Sequence, residues 1–448
     1  MRLNLIILLF TISFITKAQW SELGGFNSLS ANQDIFTTCT DTFNNAYAAG
    51  KFKNSSGKRY VAKWDGTSWS ELGGQNSLKA NSNIYAICSD QIGNIYAAGN
   101  FTNDSGSYFV AQWNGNSWTE LGGTNSSYFD STITTLCTDE SGNVYAAGCF
   151  TNSSGNYFVA VWDGTQWSEL GGINSLSAND CIWTICSDHY GVIYAAGSFR
   201  NSNSKFYVSM FNGLNWLELG PTTLFGTIGG IYSIKATDTN NVYAAGDFVN
   251  PMGKWFVAQW NGIAWGELGG LNSLSANAQI ESICIDSGNN IYAAGSFTDS
   301  LSDHYVASWD GLNWIQFGGP ISAPLQGFVW SISADRNNNI YAAGGFRNST
   351  NHFYVAVKNN PLRIAEDAKS DFINISPNPV IDKLLISFKG TNSFRKIIIY
   401  DSFGMLINSM EGKSSEIVLN CAGFKPGFYF LNAISDNRSI YKCFIVAQ

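Results

Sequence analysis

Three histidines, His189, His304 and His352, are the only imidazoles in the 448 residues, and no two share a neighbourhood in sequence. A zinc site or a histidine relay therefore has little to start from. The chain has no Gly-x-Ser-x-Gly elbow, no His-Glu-x-x-His pair and no Gly-x-x-x-x-Gly-Lys-Ser/Thr loop, so the usual motifs for acyl transfer, zinc hydrolysis and phosphate binding are missing. Glycoside hydrolysis needs two carboxylates at a set separation. The candidate acids are Asp41, Asp90, Asp139, Asp188, Asp286 and Asp335, and Glu22, Glu71, Glu120, Glu169, Glu218 and Glu267. Each set recurs at a fixed interval, so neither marks one centre. Turns such as Asp139-Glu-Ser-Gly-Asn143 offer one acid apiece, thin for calcium, and read as Asp side chains capping backbone amides. No cofactor is implied.

The aromatic residues that break the interval are more informative. Trp183, Trp255 and Trp330 stand where other units carry Tyr, Phe or other residues. An open indole face stacks well on a sugar ring, and these three are the candidate binding residues. Packing between elements is the alternative role for each. Of nine cysteines, Cys39, Cys88, Cys137, Cys186 and Cys284 repeat at one position. Without any Cys-x-x-Cys, a metal ring is the weaker reading and small buried apolar side chains the stronger. Cys421 with Cys443 is left open as a pair, and Cys149 and Cys181 receive no assignment.

The interval itself defines the elements. Trp20, Trp69, Trp118, Trp167, Trp216, Trp265 and Trp314 are 49 residues apart without an insertion. Tyr-Ala-Ala-Gly recurs in phase from Tyr47 to Tyr341, with a Phe two residues after each glycine. Within one unit, Ile84 to Asp90, Ile95 to Phe101, Tyr108 to Trp113 and Trp118 to Gly122 read as strands, separated by Gly- and Asn-containing turns. Four antiparallel strands per unit, repeated in register, predict a seven-bladed β-propeller over residues 19–358. The small Ala-Ala-Gly is expected near the axis and Trp further out. In the fifth unit Thr237 takes the place of the turn Asp. Loops at Gly220 to Gly230 and Gly319 to Gln326 diverge most.

The ends are out of phase in a useful way. Trp20 to Gly24 is a fourth strand with no first three, and the unit begun at Val329 lacks a fourth. The N-terminal strand is expected to complete that blade and cover its edge. Before it, Arg2 and the apolar run Leu3 to Ile15 read as a signal peptide, residues 1–18, cut between Ala18 and Gln19. No later transmembrane segment is expected. A net charge of −8 offers no basic footprint for nucleic acid.

Asn94-Ile-Tyr-Ala-Ala-Gly-Asn-Phe101 followed by Tyr108-Phe-Val-Ala-Gln-Trp-Asn-Gly115 resembles a propeller repeat of bacterial surface proteins. It is similar also to the repeats of fungal cortical markers of cell polarity. A second resemblance follows a linker, residues 359–371. Ile375-Ser-Pro377-Asn378-Pro379, Tyr400-Asp-Ser-Phe-Gly404, Pro426-Gly427-Phe-Tyr429 and a closing strand ending at Val446 look like a type IX secretion system type A C-terminal sorting domain over 372–448. Phe444 stands where a second basic residue is common. That resemblance implies a small β-sandwich, partnership with the type IX secretion machinery, and release or attachment at the outer surface of a Gram-negative cell. The expected function is non-catalytic binding or adhesion to a glycan or surface protein. A lectin, and then a polysaccharide-degrading enzyme or a structural surface component, are the alternatives.

Overall fold

The computed structural model describes residues 20–447 except 124–127, 221–224, 227–228, 272, 319–326, 360–371, 378, 390–395, 402–404, 412–415 and 435–438. The expected cleavage pair Ala18 and Gln19 lies outside the described residues, as do Asn378 and Gly404 of the sorting motif. The chain divides into two compact units, one ending at Leu362 and one starting at Arg363.

The first unit holds seven four-stranded antiparallel sheets. Blade one consists of Ile35–Thr40, Ala46–Gly50, Ala62–Trp64 and Trp69–Glu71, and the pattern recurs every 49 residues. The first strands of blades two to seven are Ile84–Ser89, Ile133–Thr138, Ile182–Ser187, Ile231–Asp238, Ile280–Ile285 and Val329–Ala334. Blade seven is completed from the other end of the chain: Ser21 pairs with Val357 and Glu22 with Ala356.

A cavity of about 690 Å³ is lined by first-strand residues such as Cys39, Cys88, Cys137, Cys186, Lys235 and Ser333. All seven first strands therefore surround the axis. This corrects the expectation for Ala-Ala-Gly, which lies in the second strand, one step out. Its crowding has two causes. The alanines face opposite neighbours: Ala48 packs with Tyr341 and Ala343 of blade seven, and Ala49 with Ile84 and Ala97 of blade two. The glycine lies under an irregularity of the first strand, described below. Beside them Phe52, Phe101, Phe150, Phe199, Phe297 and Phe346 are fully buried, each stabilising the fold by about 2–3 kcal/mol.

The repeated polar residues stitch this ring together. The indole Nε1 of Trp69 donates to the Leu23 carbonyl at 3.1 Å, and Trp118, Trp167, Trp216, Trp265 and Trp314 donate likewise to the Leu 46 residues earlier. Trp20 closes the circle by donating to the Phe317 carbonyl at 2.8 Å. The repeated Glu accepts from an Asn amide in the loop before the third strand, as Glu71 does from Asn54 at 3.0 Å and Glu22 from Asn348 at 2.9 Å. In blade six donor and acceptor trade places, Gln316 donating to Asp299.

The turn aspartates are equally committed. Asp139 Oδ1 accepts from the Ser141 and Asn143 amides, and its Oδ2 from Asn143 Nδ2 and Tyr145 Oη, at 2.7–2.9 Å. Four donors leave this buried carboxylate with its hydrogen-bonding capacity used. In blade five the cap is Asp238, not Thr237: an irregularity between Ala236 and Asp238 shifts the turn by one residue, and Asp238 accepts from the Asn240 amide at 2.8 Å.

The cysteines also correct the reading. The five repeated thiols line the axial cavity, and Cys39, Cys88 and Cys137 are only partly buried. Burial pushes them up, Cys186 and Cys284 to about 12, so they are neutral. Among the described residues no three His, Cys, Asp or Glu side chains are grouped to hold a metal ion. Cys149 and Cys181, unassigned from sequence, form a disulfide with a Cα–Cα distance of 4.5 Å, joining blade three to blade four. Cys421, left open as a partner for Cys443, is a buried free thiol, and the Cys443 side chain lies outside the described ones.

The second unit packs the three-stranded sheet of Phe372–Ser376, Lys383–Lys389 and Glu416–Asn420 with the four-stranded sheet of Leu406–Glu411, Lys396–Asp401, Gly427–Ile434 and Ser439–Val446. Leu384, Ile386, Ile397, Leu431 and Phe444 share its core. Tyr429 is buried, stacks on Phe444 at 5.6 Å and donates to the Lys425 carbonyl at 2.8 Å. Phe444 is fully buried, so the departure from a basic residue there supplies core. Pro377 and Pro379 precede the second strand, Tyr400 lies in Lys396–Asp401, and Pro426 leads into Gly427. Among the described residues no helix is long and apolar enough to cross a membrane.

Candidate functional site

Every first strand carries a β-bulge at its second residue. In blade one the pairing jumps from Ile35 opposite Gly50 to Thr37 opposite Ala49, and the same jump occurs in the other six blades. A bulge re-aims the extra side chain. It also brings backbone over the glycine: a Cβ built at Gly50 would collide with the Asp34 carbonyl and the Phe36 amide. Gly99, Gly148, Gly197, Gly246, Gly295 and Gly344 are in the same position. The glycine of the repeat is thus required by close approach, not by a left-handed backbone.

The bulged residues are Phe36, Tyr85, Thr134, Trp183, Tyr232, Glu281 and Trp330. They stand at the end of the first strands opposite the Asp turns, at one level around the axis, and are all half-buried. Five are aromatic. Phe36 meets Tyr85 at 5.6 Å and Trp183 meets Tyr232 at 5.0 Å between ring centroids, each pair spanning two blades. Trp330 meets Phe328 at 5.5 Å, and Phe328 in turn meets His304 at 5.5 Å. Thr134 donates to the Ile182 carbonyl of the next blade at 2.7 Å.

Polar groups are interleaved with these rings. On the blade-one side Lys51 pairs with Asp34 at 3.2 Å and lies 5.3 Å from the Phe36 centroid, while Asn83 donates to Tyr85 Oη at 3.3 Å. On the side of blades five and six, Asp247 and Glu281 are in no ion pair among the described residues. Trp255 Nε1 donates to Asp247 Oδ1 at 2.8 Å, and Ser296 Oγ donates to Glu281 Oε1 at 3.4 Å. Burial, with Asp247 adding to it, lifts the Glu281 carboxyl to about 7. Burial, Asp247 and Glu281 together lift the Tyr232 phenol to about 12, so these three groups share one pocket of field.

The three sequence candidates therefore fall in two places. Trp183 and Trp255 flank this acidic sector, Trp183 through Tyr232 and Trp255 through Asp247. Trp330 lies on blade seven beside Phe328. Sequence reasoning missed Phe36, Tyr85, Tyr232, Asp247 and Glu281. One signal was available: position two of the first strand changes from unit to unit while Ile or Val at position one does not. A second was Gly230, in the divergent loop, whose missing side chain makes room for Trp183. His304 is half-buried, bonded to the Phe297 carbonyl at 3.2 Å and lowered in pKa by burial. His189 and His352 are exposed.

Residues 374–447 match the secretion system C-terminal sorting domain family. No curated protein is similar to the chain in sequence. Among solved structures, the extracellular domain of the two-component system protein BT4673 from B. thetaiotaomicron is 12% identical, with a TM-score of 0.52, over 95% of this chain and 52% of that one. A puromycin-hydrolyzing peptidase of Mycobacterium tuberculosis is 12% identical, with a TM-score of 0.50, over 83% of this chain and 61% of that one. PorZ, a surface component of the type IX secretion system of Porphyromonas gingivalis, is 14% identical, with a TM-score of 0.46, over 93% of this chain and 60% of that one. The chain thus spans between about half and three-fifths of these structures, and the likeness is one of fold. The fold is all-β, a propeller followed by a sorting domain. The protein carries a type IX sorting signal and is secreted or attached to the outer surface of the cell.

Proposed function

We propose that the propeller is a non-catalytic binding module delivered by its C-terminal domain to the type IX secretion machinery, and that it binds carbohydrate at the bulged ring. One observation carries this reading: seven bulges aim one variable side chain each to a common level, and five of these side chains are aromatic. Aromatic faces next to carboxylates and amides are the groups that hold the apolar faces and hydroxyls of sugars. The Asp turns, the Glu–Asn pairs and the outer Trp side chains are occupied by intramolecular bonds, which removes them as ligand-binding candidates. A surface protein as ligand is the alternative occupant, and a glycan array separates the two.

Asp247 and Glu281 are the carboxylates a polysaccharide-degrading enzyme would use. In a binding module they orient hydroxyl or amino groups, and no reducing ends should be released from a bound glycan on prolonged incubation. Release that disappears in Glu281→Gln would replace the binding reading with an enzymatic one.

A further inference from the structure

The ring is not chemically uniform. Its blade-one side holds a cation already paired, Lys51 with Asp34. Its opposite side holds Asp247 and Glu281, and neither is in any ion pair of the described residues. Both are engaged by neutral donors only, Trp255 Nε1 and Ser296 Oγ. Around them stand three aromatic side chains, Trp183, Tyr232 and Trp255. Trp183 and Tyr232 are in contact, and Trp183 is seated against Gly230, whose carbonyl accepts from the Asp247 amide at 2.9 Å.

Resting on the carbohydrate reading, we infer that the sector between blades four and six takes an amino sugar, its protonated amine meeting Asp247 and Glu281 and its ring packing on Trp183 and Tyr232. Two half-buried carboxylates without a counter-ion favour a ligand that brings a positive charge. Aromatic faces add to the attraction for an ammonium group. A neutral sugar would leave both carboxylates uncompensated, and an acidic one would add like charge. Among the described residues the titratable groups facing Glu281 are Asp247 and the Tyr232 phenol, neither of which carries a positive charge. The raised Glu281 carboxyl fits the same picture, because a bound cation lowers it and is favoured in return.

Three oligosaccharides with the same β-1,4 backbone test this by calorimetry on the whole protein: a glucosamine tetramer, its N-acetylated form and cellotetraose. The wild-type protein should bind the glucosamine tetramer at least about tenfold more tightly than the other two. Glu281→Gln should bind all three within about twofold of one another, and Trp183→Ala should weaken all three. Equal wild-type affinities overturn the inference while leaving carbohydrate binding intact. An undiminished preference in Glu281→Gln combined with Asp247→Asn also overturns it. No binding of any of the three, together with a blank glycan array, overturns this inference and the carbohydrate reading together. The comparison among ligands on wild-type protein decides the matter even where a variant fails to fold.

Discussion

Glu281 is the residue where burial and function pull apart. Its carboxyl is held at about 7, above the ordinary 4.5, by burial first and by Asp247. A raised carboxylate favours the folded state below its unfolded value, and that advantage is lost as pH rises through the folded value. Ionisation of Glu281 therefore weakens the fold as pH rises from about 4.5 to about 7, and the full cost is present above that. Glu281→Gln removes the charge and keeps the shape. It should be more stable than wild type by about 1–3 kcal/mol at pH 8 and indistinguishable near pH 4.5, measured by urea unfolding at both values. A variant less stable at pH 8 would mean that the carboxylate is held by a partner that offsets its burial. The turn aspartates Asp41, Asp90 and Asp139 are more deeply buried than the half-buried Glu281, and each of their carboxylates accepts four hydrogen bonds.

At the scale of the strand, the bulge couples the repeat glycine to the site. Gly197 lies beneath the bulge that carries Trp183, and a methyl group there would meet the Cys181 carbonyl and the Trp183 amide. Gly197→Ala should cost at least about 2 kcal/mol and disturb ligand binding, whereas an alanine at the exposed Gly266, where nothing lies within 4 Å, should cost well under 1 kcal/mol. Thermal unfolding of the two variants checks this, and equal transitions would mean that the bulge relaxes freely. Much of the element scale was legible in the sequence. The 49-residue spacing of Trp69, Trp118 and their partners located the strands, and the unpaired Trp20 strand pointed to closure of the last blade. The site was less legible. A bulge shifts the alternation of side chains by one, so Tyr232 and Glu281 read as ordinary strand residues until the pairing is known. Asp238 was missed for the same reason, since a one-residue shift moved the cap past Thr237. The Cys149–Cys181 link crosses two blades, and a contact between units cannot be read from the pattern within one.

A propeller is a ring, and its stability as a whole depends on how the ring is closed. The ring closes within blade seven on a short strand, with Ser21 and Glu22 paired to Val357 and Ala356. It is reinforced by Trp20 donating to Phe317, Glu22 accepting from Asn348 and Leu23 donating its amide to Val355 at 2.8 Å. Removing Trp20 to Gly25 leaves the Ala356–Lys358 edge unpaired and opens the core that Trp20 shares with Val329 and Ala356. The truncated protein should melt at a lower temperature and self-associate, seen by calorimetry and light scattering. An unchanged transition and a monomeric species would contradict this closure. The closed ring holds the seven bulges at one level, and that arrangement is the basis of the functional claim. The most direct test is binding of the intact protein, wild type and Trp183→Ala/Trp330→Ala, to a broad glycan array. The account predicts saturable, competable binding of wild type to one class of sugar, reduced at least about tenfold in the double variant. A blank array, or binding that the double variant retains in full, would contradict it.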